Sequence, residues 1–334
     1  MITLAFESSC DETSVAVIKN GREILSNEIS SQIEIHQLFG GVVPEIASRK
    51  HVSSISPVLD IAMEKARIEY KDIDLVAATR GPGLIGALLV GLTAGRTLAM
   101  ALNKPFIGVN HIKGHICANY ITHKDLEAPF VGLIVSGGHS YLIHVKDYVD
   151  FTLYGRTRDD AAGEAFDKVA RAMGIGYPGG PIIDKLAKEG QEAYSLPRVW
   201  LDKDSYDFSF SGLKTAVLNE LNISKQKGIE VNPANMAKSF QEAVVEVLVE
   251  KSFRLANELG QKTIVLAGGV SANSALRSAM EKKGQEQGKK IYYPNPILCT
   301  DNAAMIASAG YYEYKKNPLN KEVYANPNLG LEAE

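Results

Sequence analysis

The chain has 334 residues, 45% of them hydrophobic and 22% charged, with a formal net charge of −3. At about 150 residues per domain that suggests two domains, excludes a disordered chain, and leaves no whole-molecule field for nucleic acid, so such contact needs a local patch or a partner subunit. Three scattered cysteines, Cys10, Cys117 and Cys299, with no CxxC, exclude a disulfide scaffold and a thiolate zinc site and fit a reducing compartment.

The chain opens MITLAFESSCDETSVAV, without a basic start and long apolar run, so no signal peptide is expected. ITLAFESS and TSVAVIK read as strands, Asn20-Gly21 as a hairpin turn, and REILSNEI as a third strand. Pro44 to Ile68 has apolar residues at helical spacing, with Pro44 suited to the first turn. Ile73 to Thr79 reads as a buried strand and Leu84 to Leu102 as an apolar helix. The uncharged stretch Gly81 to Gly95, which runs into that helix, is too short to span a bilayer and is rich in glycine, so a membrane protein is not expected.

A second three-strand unit starts at Phe130, in FVGLIVSGGHSYLIHVKDYVDFTLYG. Each unit places a small polar turn, Ser8 to Thr13 or Ser136 to Ser140, between its first two strands, which implies an architectural duplication. Helices are expected at 160–174, 181–189, 212–222 and 234–259. KTIVLAGGVSANSALRSAMEKKG then reads strand, glycine turn, helix, and TDNAAMIASAGYYEYKK reads as a capped last helix. The class is α/β. Two similar lobes are expected, 1–108 plus about 303–334 and 109–302, with ligand and metal in the cleft between them.

Gly81-Pro82-Gly83-Leu84-Ile85-Gly86 matches GxGxxG between a strand and a helix. A dinucleotide fingerprint also needs an acid about twenty residues on, and Leu75 to Lys124 contains none, so a tight turn is the better reading. The Walker lysine motif is absent. Classical NAD and P-loop enzymes are therefore disfavoured.

His111-Ile-Lys-Gly-His115 sets two imidazoles one helical turn apart, a spacing that suits one metal ion or two ordinary surface histidines. Ile112 stands where a zinc peptidase has its general base, which disfavours that chemistry. Asp301, in Thr300-Asp301-Asn302, is a candidate third ligand or a helix cap. Two histidines and a carboxylate suit iron(II), zinc or manganese.

Three glycine or small-residue turns form a second constellation. Ser136-Gly137-Gly138-His139 could cradle a phosphate, and Gly268-Gly269 before Ser271-Ala272-Asn273 could admit a purine or phosphate. Ser8 to Thr13 carries Asp11 and Glu12. Two hairpin phosphate loops with a strand-Gly-Gly-helix turn match the layout of the actin, hexokinase and Hsp70 ATPase superfamily, with a duplicated βββαβα core. Asp159, Asp160, Glu164 and Asp167 on an early helix turn, and Asp184 after Tyr177-Pro-Gly-Gly-Pro181, fit either a solvated face or hydroxyl binding.

The sequence resembles the tRNA threonylcarbamoyladenosine transferase family, TsaD in its bacterial form and once labelled a glycoprotease. The resemblance runs from ESSCDETSVAVI through GGVVPEIASRKH, NHIKGHI, LIVSGGHSYL, GEAFDKVA, YPGGP, FSFSGLKTA, LAGGVSAN and CTDNAAMIA. Ser140, where threonine is common in the family, keeps the hydroxyl.

The resemblance implies the two-lobed ATPase fold and one divalent ion, iron or zinc, on His111, His115 and Asp301. It implies that Ile134, Val135, Ser136, Gly137, Gly138, Asp167, Gly180, Asp184 and Asn273 line a site for threonylcarbamoyl-adenylate, or ATP or ADP. The reaction would move the threonylcarbamoyl group to N6 of adenine 37 in tRNAs reading codons that start with A, releasing AMP. Asp11 and Glu12 would orient N6 or accept its proton. An upstream synthase that makes threonylcarbamoyl-adenylate, TsaB and TsaE are the implied partners, with no membrane and a cytoplasmic location. A small-molecule kinase and a non-catalytic ATP-binding scaffold are the alternatives.

Two surface expectations follow. Gly91 and Gly95, four apart on helix 84–102, fit packing within their own lobe or close approach of another helix, and the family resemblance favours a helical interface with TsaB shared with helix 44–68. Arg80, Lys113 and Lys124, from the acid-free stretch, would face tRNA.

Overall fold

In the computed structural model, which describes residues 1–202, 204–318 and 323–332, the first thirty residues form the expected meander. Strands β1 (Ile2–Glu7), β2 (Glu12–Lys19) and β3 (Glu23–Ser31) pair antiparallel in sequence. Asn20 and Gly21 turn the second hairpin with φ of 52° and 70°, the left-handed pair such a turn requires. Strand β4 (Leu75–Gly81) adds parallel to β1, and β5 (Phe106–Asn110), which the sequence reading did not separate, adds parallel to β4. The sheet order is β3-β2-β1-β4-β5.

Strand alternation assigns each face of this sheet a helical layer. Leu4, Phe6, Val76 and Ala78 join the core beneath helices Pro44–Ala66 and Ile85–Leu102. On the opposite face, Ala77 packs against Gly310 of helix Ala303–Lys316, which lies beside helix His111–Thr122. Glu7 at the end of β1 and Thr79 near the end of β4, in phase with Ala5 and Ala77, therefore lie on the side of His111.

The second unit repeats the plan. Strands β6 (Phe130–Val135), β7 (Ser140–Asp147) and β8 (Asp150–Arg156) form its meander, and β9 (Thr263–Ala267) pairs parallel with β6. With β10 (Lys290–Tyr292) the order is β10-β9-β6-β7-β8, the mirror listing of the first sheet. Helix Pro233–Glu258 is its spine, burying Phe240, Val244 and Leu248 against Phe166, Leu133 and Leu266.

The division into compact units differs from the expected boundaries. One unit comprises Met1–Ala128, Lys146–Phe151 and Pro294–Glu334; the other comprises Pro129–Val145 and Thr152–Tyr293. Helix His111–Thr122, expected to open the second lobe, stays with the first because it packs along helix Ala303–Lys316. Gly114 permits that approach: a Cβ there would meet the Ile306 side chain at 2.7 Å.

Among the described residues one helix, Ile85–Leu102, is long and apolar enough to cross a membrane. Its Ala87, Leu88, Gly91, Leu92, Gly95 and Ala99 are buried within the first unit. Gly91 and Gly95 are thus spent on internal packing, correcting the expectation that they meet a partner helix. A Cβ at Gly95 would press on Phe6, Ala78 and Phe106 at 3.1–3.2 Å.

Candidate active site

Helix His111–Thr122 starts directly after β5, and the Asn110 side chain caps it by accepting the Ile112 N–H at 2.9 Å. Both histidines are buried, with ring centroids 4.6 Å apart and planes at 80°. Their Nε2 atoms converge on one oxygen of Asp301, His111 at 3.3 Å and His115 at 3.4 Å. A tetrahedral shell with bonds of about 2.0–2.1 Å has ligand–ligand edges of about 3.3 Å. The three candidate ligand atoms lie within 4.8 Å of one another.

The His115 ring is aimed into this cluster without a hydrogen bond. Among the described residues neither Nδ1 nor Nε2 makes a full hydrogen bond, and the one polar approach is that of Nε2 to Asp301 at 3.4 Å. A buried imidazole with two orphaned nitrogens is costly unless something else uses them, and a cation is what a lone pair beside a carboxylate fits. Asp301 is also released from capping. Asn302 caps the last helix, accepting the Met305 N–H at 3.0 Å, while Ala303 N–H goes to the Ser14 hydroxyl at 2.8 Å.

Charge ties the three side chains and Glu7 together. Burial pulls the His111 pKa down, but Asp301 and then Glu7 override it, leaving it well above the ordinary imidazole value. Burial opposes ionisation of Asp301, yet His111 holds its carboxyl far below the usual range. Burial dominates at His115 and lowers its pKa.

The turn before β2 closes against this group, with Ser9 Oγ 3.2 Å from His111 Nδ1. Asp11 is buried rather than held out on a hairpin tip. Glu12 accepts from the Ser31 hydroxyl at 3.3 Å, and burial, then the Asp301 and Asp11 charges, push its pKa well above the usual carboxylate range. Two residues absent from the sequence reading support the turn. His51, fully buried, bonds the Thr13 hydroxyl at 2.7 Å and the Cys10 carbonyl at 2.9 Å. Glu7 accepts the Ser9 N–H at 2.6 Å. A charge closing the otherwise apolar run ITLAFE was the one signal for Glu7.

In the second unit, Ile134 and Val135 end β6 and Ser136 closes a tight turn, its N–H donating to the His139 carbonyl at 2.8 Å. Nothing lies within 4 Å of a Cβ built on Gly137, Gly138, Gly180 or Gly269, so their backbones face open space. Gly163 and Gly268 instead serve close packing. A Cβ on Gly163 would meet the Ser136 carbonyl at 2.6 Å, and one on Gly268, at φ +83°, the Val135 carbonyl at 2.5 Å. The two glycine turns therefore adjoin at the end of β6.

The expected polar residues here hold backbone in place. Asp167 accepts the Gly179 N–H at 2.7 Å, next to Gly180. Asp184 accepts from the Ser274 hydroxyl at 2.8 Å, and Asn273 caps its helix through the Leu276 N–H at 2.9 Å while donating to Gln241 at 2.6 Å. Asp159 and Asp160 are likewise occupied, by Ser209 and Ser211 and by Lys168 and Lys214.

The expected basic face does not form as a set. Lys113 lies 3.6 Å from Glu313 and over the Phe151 ring, and the Arg80 stem packs on Gly108 with its Nε buried. Lys124 alone of the three is exposed.

Comparison with known proteins gives one family and one fold. The family model TsaD, described as tRNA N6-adenosine threonylcarbamoyltransferase, matches residues 23–308. Proteins of that name from Clostridium perfringens (strain 13 / Type A) and Clostridioides difficile (strain 630) are each 58% identical, over 99% of this chain and 98% of theirs. Among solved structures, full-length HypF in its phosphate- and nucleotide-bound form aligns with 97% of this chain and 47% of its own at TM-score 0.63 and 16% identity. Component A of the Acidaminococcus fermentans (R)-2-hydroxyglutaryl-CoA dehydratase covers 96% of this chain and 100% of its own at TM-score 0.53 and 17% identity. These likenesses bear on the fold alone, an α/β architecture with two mixed sheets of like strand order.

Proposed function

The chain belongs to the TsaD family of tRNA N6-adenosine threonylcarbamoyltransferases, and from that premise we propose how its residues divide the work. It is a transferase, its acceptor is N6 of an adenosine in tRNA, and the group moved is threonylcarbamoyl. The finer reading makes threonylcarbamoyl-adenylate the donor, adenine 37 the acceptor and AMP the leaving group.

N6 is a weak nucleophile because its lone pair is delocalised into the purine. The donor is a mixed anhydride, so the protein's task is to position the reactants and stabilise charge. A bond forms from N6 to the carbamoyl carbon, the carbon–oxygen bond to phosphate breaks, and AMP departs with that electron pair. The N6 proton goes to Glu12, whose environment strengthens its hold on a proton, while Asp11 orients the amine. The acceptor adenine must unstack from its loop to reach these groups.

His111, His115 and Asp301 would hold one divalent ion, iron(II) or zinc. Bound there, it would supply positive charge for the phosphate or carboxylate of the adenylate. In the second unit, the open N–H groups of the Ser136–Gly138 turn would take the phosphate. Ile134, Val135, Gly180 and the Asn273 helix start would border the nucleoside of the adenylate, or of ATP or ADP. Asp167 and Asp184 keep those backbones in place.

An upstream synthase would supply the adenylate, and TsaB and TsaE would assist in the cytoplasm. Helices Pro44–Ala66 and Ile85–Leu102 pack together and leave Val52, Ile61, Ile85, Leu89 and Met100 exposed. That apolar face is the TsaB surface in this reading.

The convergence of two buried Nε2 atoms on one Asp301 oxygen is the observation that carries the site assignment. The test incubates the chain, TsaB and TsaE with unmodified tRNA and threonylcarbamoyl-adenylate, then analyses nucleosides by mass spectrometry. Threonylcarbamoyladenosine should form with the wild type and vanish with Asp301→Ala. Full activity of Asp301→Ala would overturn the assignment.

A further inference from the structure

Glu7 is a carboxylate in a place where a charge is expensive. It is fully buried at the end of β1, on the sheet face that carries helices His111–Thr122 and Ala303–Lys316. A buried carboxylate persists only when donors and a counter-charge satisfy it. Oε1 accepts the Ser9 N–H at 2.6 Å; Oε2 accepts the Thr79 hydroxyl at 2.6 Å and faces His111 Nδ1 at 2.9 Å. Among the described residues no lysine or arginine pairs with it, and the His111 imidazole is the cationic partner that faces it.

That arrangement decides which nitrogen of His111 does what. An ionised carboxylate only accepts, so the contact at 2.9 Å requires the proton on Nδ1. With Nδ1–H held by Glu7, the nitrogen left to shed its proton and offer a lone pair to a metal is Nε2, the atom turned toward Asp301. His115 has no such partner on its Nδ1. The two histidines of the HxxxH pair are therefore unequal, one oriented from behind by a carboxylate and the other, among the described residues, without such a partner on Nδ1.

We propose that Glu7 is the positioning residue of the metal centre, fixing the His111 tautomer and ring orientation and strengthening Nε2 as a donor. The inference rests on reading His111, His115 and Asp301 as a metal site. Carboxylate partners of metal-bound histidines typically change metal affinity by 10–100-fold. Ser9 and Thr79 act at one remove, holding the carboxylate so that Oε2 meets the ring.

The experiment uses the full chain, stripped of metal and titrated with Zn2+ against a competing chelator. Glu7→Gln should weaken zinc about 10–100-fold while still binding one ion. Thr79→Val, which removes a bond to the same carboxylate but keeps its charge, should stay within about threefold of the wild type. Equal losses in both variants would assign Glu7 a merely structural role, and wild-type zinc affinity in folded Glu7→Gln would overturn the inference. Should Glu7→Gln not fold, histidine 15N NMR of the zinc-loaded wild type decides the matter. His111 should show a protonated Nδ1 and a zinc-shifted Nε2, and the opposite tautomer would refute the role. Retention of zinc by Asp301→Ala would instead sink the metal reading itself.

Discussion

The Ser8 hydroxyl spans one turn of helix Ile85–Leu102, accepting the Gly91 N–H at 3.0 Å and donating to the Ala87 carbonyl at 2.7 Å. A Cβ at Gly91 would lie 2.5 Å from that oxygen. Gly91→Ala should therefore lower stability by about 1–3 kcal/mol in urea unfolding. In a Ser8→Ala background the same change should cost less, because the clashing hydroxyl is gone. A Gly91→Ala protein as stable as the wild type would contradict this packing.

Asp301 and Asn302 are neighbours with separate duties. Asn302→Ala should cost about 1 kcal/mol through loss of the cap and leave bound metal in place. Asp301→Ala should remove metal and leave the helix intact. Elemental analysis with circular dichroism melts distinguishes them, and metal retention in Asp301→Ala would count against the ligand set.

The raised pKa of His111 gives metal binding a pH dependence. A ligand nitrogen must shed its proton, so affinity should climb with pH until the raised His111 value is passed. At neutral pH, calorimetry in two buffers of different ionisation heat should show about one proton released per ion. In the metal-free protein His111 contributes stability that is complete below the unfolded imidazole pKa and lost as pH rises through the folded one. Glu7 and Asp301, whose values are depressed, contribute above the unfolded carboxylate pKa and lose it as pH falls. Absence of proton release would contradict the charged cluster.

Two glycines beside one turn should behave oppositely. Gly137→Val places a side chain in open space, so the melting temperature should hold while ADP binding falls at least about tenfold. Gly163→Val drives a side chain into the Ser136 carbonyl and should unfold the second unit or cost several kcal/mol. Undiminished ADP binding by Gly137→Val would move the phosphate elsewhere.

Leu89, exposed on helix Ile85–Leu102, offers a test of the proposed TsaB surface that spares folding. Leu89→Asp should change stability by less than about 0.5 kcal/mol yet weaken association with TsaB. Unchanged association in size-exclusion and calorimetric titration would free this face from that role.

The sequence by itself determined the elements and their duplication, because periodicity and turn chemistry are local. Asn20-Gly21, Pro44 and the apolar runs of β1, β6 and β9 encode turns, a helix start and buried strands with no reference to the rest of the chain. It also supplied His111 and His115 as a pair, since one helical turn fixes their spacing. Tertiary structure decided what those residues face. Gly91 and Gly95 read equally well as a docking stripe or as internal packing, and only Ser8, Phe6 and Ala78 settle that they pack inward. Lys113 was a surface cation until Glu313, two hundred residues away, came within 3.6 Å. Asp301 could have capped a helix, and Glu7 carried no motif at all. Both became legible once strand phase and the close approach of two helices over Gly114 brought them to His111, because a carboxylate's role is set by the donors around it.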